Sequence, residues 1–104
     1  MKSIIQENKD YCYLCGRYGN LQEHHVFNGT ANRKKSEEDG MKVYVHFRCH
    51  EFIHSHQLTD LNLKAHCQQV WQDHYKKSNK DFIKRYGKDY IEIFNERFDR
   101  CGEK

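Results

Sequence analysis

The chain has 104 residues, enough for one small domain with a modest capacity to bury surface. Apolar residues make up only 37%, so a hydrophobic core alone is thin, and a bound metal is the usual supplement. Eighteen basic against fifteen acidic residues leave a formal charge of +3, which excludes a histone-like field, while seven Tyr and six Phe argue against a disordered chain.

Residues 1–11 read as a polar lead-in whose last residue, Tyr11, begins the knuckle, and the first ten lack the apolar run of a signal peptide. No stretch approaches the roughly 20 apolar residues of a membrane span. Cys12-x-x-Cys15 then forms a tight turn, with Gly16 and Gly19 available for positive φ. The segment from Leu21 to Phe27 predicts a strand carrying His24 and His25. Residues from Asn28 to Gly40 read as a polar loop, opened by Asn28-Gly29 and filled by a charge run from Arg33 to Asp39.

From Met41 to Phe47 the pattern alternates, placing Met41, Val43 and Val45 on one side and Lys42, Tyr44 and His46 on the other. This predicts a second strand. A helix from Arg48 to His56 follows, with His50 and His54 four residues apart and hence on one face. Thr59 is placed to cap a further helix through which Leu63, Cys67, Val70, Trp71, His74 and Tyr75 recur. Ser78 and Asp81 predict a capping box for a helix over 79–86, ended by Gly87. Tyr90, Ile91, Ile93, Phe94 and Phe98 give a last helical face before an unpaired Cys101.

The chemistry is concentrated in the first half. Cys12, Cys15, His46 and Cys49 form two chelating pairs at knuckle spacing, a Cys3His set suited to one structural Zn²⁺. Five cysteines in such company fit a reducing compartment better than a disulfide framework. His24 and His25 are strand neighbours and point to opposite faces, so one can face a metal while the other faces an attacking water. Histidine suits a general base at neutral pH. His50 and His54 are spaced to reach a single ion, which makes a second, open metal site and hence an enzyme. Arg33, Lys34, Lys35 and Arg48 are the candidate phosphate contacts. Trp71, Tyr75 and Cys67 read as core, and His66 and His74 as ordinary.

In order and spacing, residues 11–56 resemble the HNH endonucleases of the ββα-metal class, in particular the small zinc-knuckle HNH proteins of bacteriophages. The segment 82–91 also resembles the tail of such proteins. The resemblance implies an α+β fold: a ββα-metal core over about 11–57 with a zinc knuckle, followed by C-terminal helices over about 58–104 in a single domain. It makes His24, His50 and His54 ligands of a catalytic divalent cation (Mg²⁺, Mn²⁺, Ni²⁺ or Zn²⁺), with His56 in reserve, and His25 the general base. It further implies DNA as substrate, cut to 5′-phosphate and 3′-hydroxyl ends, and no membrane association. The expected setting is the cytoplasm of a bacterial host, with a phage packaging or recombination protein as a candidate partner.

The chain departs from the family pattern twice. Gly40-Met41 stands where a middle Asn is usual, with Asn28 and Asn32 as candidate substitutes, and His46 replaces a Cys in the second zinc pair. The rival reading is a non-catalytic zinc module that grips nucleic acid or a phage protein. A zinc deaminase is disfavoured because its His-x-Glu and Pro-Cys-x-x-Cys signature is absent.

Overall fold

The computed structural model describes residues 2–102, with side chains described over 2–97. Among these residues the protein is α+β, a two-stranded antiparallel sheet with five helices. The order is β1 (Leu21–His25), α1 (Thr30–Asp39), β2 (Lys42–His46), α2 (Phe47–Ser55), α3 (Gln57–Tyr75), α4 (Asn79–Tyr86) and α5 (Tyr90–Gly102). The chain divides into two compact units, Met1–Ser55 and His56–Lys104. None of the described helices is long and apolar enough to cross a membrane.

In the first unit β1 and β2 pair with Leu21 opposite His46, His24 opposite Val43 and His25 opposite Lys42. Directly opposed residues share a face, so His24, Val43 and Val45 lie on one side and His25, Lys42 and Tyr44 on the other. Val43 and Val45 are fully buried, as are Val26, Phe27 and Met41 at the ends of the strands. Helix α2 adds Ile53 to this core. The lead-in takes part as well. Gln6, only 3% exposed, accepts the Tyr44 N–H through Oε1 at 2.9 Å and donates to the carbonyls of Asn8 and Tyr11. Ser3 donates to the Lys42 carbonyl and Ile4 to that of Gly40.

The predicted loop between the strands is instead largely helical. Helix α1 has no apolar face, so a search for periodic hydrophobics passes over it. Its charge run consists of residues with good or neutral helix propensity. What it buries is polar: Ser36, fully buried, accepts the Phe27 N–H at 3.1 Å and donates to the Phe27 carbonyl at 2.9 Å. Gly40 closes the helix at φ 73°, and a Cβ there would lie 2.6 Å from the Lys2 carbonyl oxygen, so this position requires glycine.

In the second unit α3 starts at Gln57 with His56 at its N-cap, so Thr59 sits inside the first turn rather than capping it. Ser78 and Asp81 form a reciprocal capping box for α4, and Gly87 ends it at φ 94°. Trp71 meets Phe82 and Tyr86 edge-on at 5.4 and 6.2 Å between ring centres, and Cys67 on the same helix is fully buried. Phe98 and Cys101 lie outside the residues whose side chains are described.

Gln68 is the polar tie of this unit. Fully buried on α3, it accepts the N–H groups of Tyr90 and Ile91 and donates to Gln72 and Asp89. Replacing it by leucine keeps the volume but strands two amides at the start of α5, at about 1–3 kcal/mol per unsatisfied buried group. Gln68→Leu is therefore expected to lower the denaturation midpoint and speed amide exchange at residues 90–94. Unchanged exchange there would contradict this role.

Candidate metal centres

The first cluster is built where the knuckle meets the end of β2. The turn is closed by Cys12 N–H to the Arg17 carbonyl at 2.8 Å and Gly16 N–H to the Cys12 carbonyl at 2.9 Å. Tyr13 N–H ties it to the Tyr44 carbonyl on β2 at 2.8 Å. His46 ends β2, and Cys49 follows in the first turn of α2. The ligand atoms of Cys12, Cys15, His46 and Cys49 all lie within 4.8 Å of one another. Cys15 Sγ stands 3.3 Å from His46 Nδ1. Two such ligands on one tetrahedral zinc are separated by roughly 3.5 Å, given its usual bond lengths. The four residues can hold a metal ion such as zinc.

Their electrostatics favour the same conclusion. Burial raises the Cys12 thiol, but the amide N–H groups of Cys15, His46 and Leu14 outweigh it and bring the pKa down to about 6. Cys49 is pushed up to about 12 by burial and by the thiols of Cys12 and Cys15 beside it. Three thiols this close resist joint ionisation, and a dication relieves that resistance.

A second cluster lies where β1 meets α2. His24 on β1 is 3% exposed, and its ring meets those of His50 and His54 edge-on at 4.9 and 5.6 Å. His50 Nε2 and His54 Nε2 are 3.1 Å apart, as the four-residue spacing on α2 permits. One ligand nitrogen from each of the three lies within 4.8 Å of the others. His24 Nε2 is buried and makes no hydrogen bond to the protein. Burial lowers the pKa of His50, with the nearby His54 adding to the effect, which favours the neutral imidazole that ligates metals. The set fits a borderline divalent ion on ligand grounds. It closes without His56, which belongs to the second unit.

His25 points the opposite way, as strand alternation requires. Its Nε2 lies 3.0 Å from Glu37 Oε1 on α1. Glu37 in turn accepts from Lys42 Nζ at 2.9 and 3.2 Å, and Lys42 also reaches Glu23 at 3.2 Å. Burial works against the Lys42 charge, but its hydrogen bonds to Glu37 and Glu23 win and raise its pKa. Glu23, His25 and Glu37 are close enough to resemble a further cation site. Lys42 already supplies the positive charge they call for.

A cleft of about 190 Å³ wraps the end of β1, and Glu23, His24, His25, Asn28, Arg33, His50 and His54 line it. Both histidines of the pair reach it, although they leave the strand in opposite directions. Of the two candidate asparagines, Asn28 lines the cleft and Asn32 does not. Arg33 is on its wall, and Lys34 lines an adjoining groove with Thr30 and Glu37. Lys35 and Arg48 line neither. Sequence reasoning missed Glu37 and Lys42. Neither has a signal in spacing alone: Lys42 meets His25 only through the strand register, and Glu37 lies in a charge run with no apolar period. Compared with protein-family models, with curated proteins and with solved structures, the chain matches none.

Zinc at the first cluster is expected to be part of the fold, because such sites bring about 10–16 kcal/mol of apparent binding free energy. The purified protein should keep one zinc through dialysis. Cys49→Ala should lose it together with the circular dichroism of the folded first unit, and His54→Ala should keep it. Loading the apo protein near pH 7 should release protons, since Cys49 is protonated without metal, and affinity should fall as the pH falls. Zinc retention by Cys49→Ala, measured by elemental analysis, would contradict the assignment.

Proposed function

We propose that this chain is a metal-dependent endonuclease of the HNH, ββα-metal type, hydrolysing DNA phosphodiester bonds. The observation that carries the reading is the cleft at the end of β1. It is rimmed at once by three convergent imidazoles and by a fourth, His25, outside that group. A site that only held metal has no use for the fourth imidazole, and hydrolysis needs it.

In this reading a phosphodiester enters the cleft with its negative charge against Arg33. His24, His50 and His54 would hold a divalent cation, whose chemistry there would be to offset the charge that builds up on the phosphate during the reaction. His25 takes a proton from water as the oxygen of that water attacks phosphorus in line. The bond to the 3′ oxygen breaks, and that oxygen takes up a proton from solvent, leaving 5′-phosphate and 3′-hydroxyl ends. Asn28 borders the same cleft and stands as the polar neighbour of the scissile group. Cys12, Cys15, His46 and Cys49 would hold a zinc that ties the knuckle to the first turn of α2, the helix that carries His50 and His54. Three imidazoles favour Mn²⁺, Ni²⁺ or Zn²⁺ over Mg²⁺.

Incubation of supercoiled plasmid with each of these ions tests the reading. The wild-type protein should nick it, and the nicks should be sealed by a ligase that requires 5′-phosphate. His25→Ala should keep its zinc and DNA affinity while losing about 10²–10⁴ in rate, or about 3–5 kcal/mol of barrier. His24→Ala should instead require more of the catalytic ion. Binding without cleavage under every ion, or full activity in His25→Ala, would overturn the proposal.

A further inference from the structure

We infer that Glu37 is a positioning residue that fixes the tautomer of His25, so that Nδ1 is the nitrogen that accepts a proton. The inference rests on the nuclease reading for its purpose, though its geometry stands on its own. A carboxylate only accepts hydrogen bonds, so the 3.0 Å contact between His25 Nε2 and Glu37 Oε1 requires the proton on Nε2. The lone pair is then on Nδ1. Without such a partner a neutral imidazole divides between two tautomers and turns about its χ angles, and only part of the population presents a base.

The carboxylate is itself held. Lys42 Nζ contacts both oxygens of Glu37, at 3.2 and 2.9 Å, and Lys42 stands directly opposite His25 in the sheet. Glu37 also follows Ser36, whose hydroxyl is clamped to both backbone groups of Phe27 just past the end of β1. The distance from His25 to the carboxylate is thus set by two independent ties between α1 and the strand pair. The side chain of His25 is 13% exposed, which leaves the ring little room to leave the pair. This arrangement also accounts for the local charge. Glu37, Glu23 and Lys42 form a network that needs no metal, which keeps the ion-binding function on the opposite face.

The test reads the tautomer and the rate separately. Long-range proton–nitrogen correlation of the imidazoles in zinc-loaded, ¹⁵N-labelled wild-type protein should show His25 with its proton on Nε2. In Glu37→Ala this preference should collapse to a mixture, and kcat for plasmid nicking should fall by about tenfold or more, short of the roughly 10²–10⁴ that removing the base itself costs, with little change in KM. Should Glu37→Ala fail to fold, Glu37→Asp serves instead. Its charge still faces Lys42, but it is one methylene too short for Nε2, and the same two changes are expected. A proton on Nδ1 in the wild type, or an unchanged tautomer and kcat in the folded variants, overturns the inference. If no ion supports cleavage while the Nε2 proton is lost on mutating Glu37, the nuclease reading falls and the Glu37–His25 pairing stands.

Discussion

Everything at this site depends on the alternation of side chains along one five-residue strand. His24 and His25 are adjacent in sequence, yet the pleat of β1 sends the first toward α2 and the second toward Glu37 on α1. The two imidazoles therefore meet different chemistry within one residue of chain. His24 joins a cluster of three imidazoles whose ligand nitrogens could share a cation, and His25 joins a carboxylate–ammonium network. Because β1 stops at His25, both side chains still border one cleft.

A unit so small holds that arrangement with few apolar side chains, and polar ties supply much of the remainder. Gln6 pins the lead-in to β2, Ser36 pins α1 to the end of β1, and Lys42 joins β2 to both acidic neighbours. Each of these groups is buried, and each is costly unless paired. The Cys/His cluster adds a tie of another kind, joining the knuckle, the end of β2 and the start of α2. A metal bound there would cross-link these three segments directly.

The sequence made legible whatever depends on short-range geometry. The spacing of two between cysteines, the spacing of four between His50 and His54, and the alternation from Met41 to His46 each translate directly into a turn, a helix face and a strand. Ser78, Asp81 and Gly87 marked the ends of α4 for the same reason. Helix α1 was not legible, because its buried side is Ser36 and Asp39 rather than leucine or valine. The start of α3 is not legible either, because Thr59 has the chemistry of a cap and His56, the residue at the cap, does not. The partners of His25 needed the sheet register and the path of α1, and neither can be read from spacing alone.

The central claim is that one chain carries two distinct metal positions, one on the Cys/His knuckle and one on three histidines, with the Glu23–Lys42–Glu37 network kept free of metal. Anomalous diffraction from a crystal grown with excess Zn²⁺, recorded on both sides of the zinc edge, reads this directly. The account expects one peak among Cys12, Cys15, His46 and Cys49, and a second within about 2.0–2.1 Å of nitrogens from His24, His50 and His54. No peak should lie between Glu23 and Glu37. A single peak at the sulfur cluster, or an ion in place of the Lys42 ammonium, would contradict it.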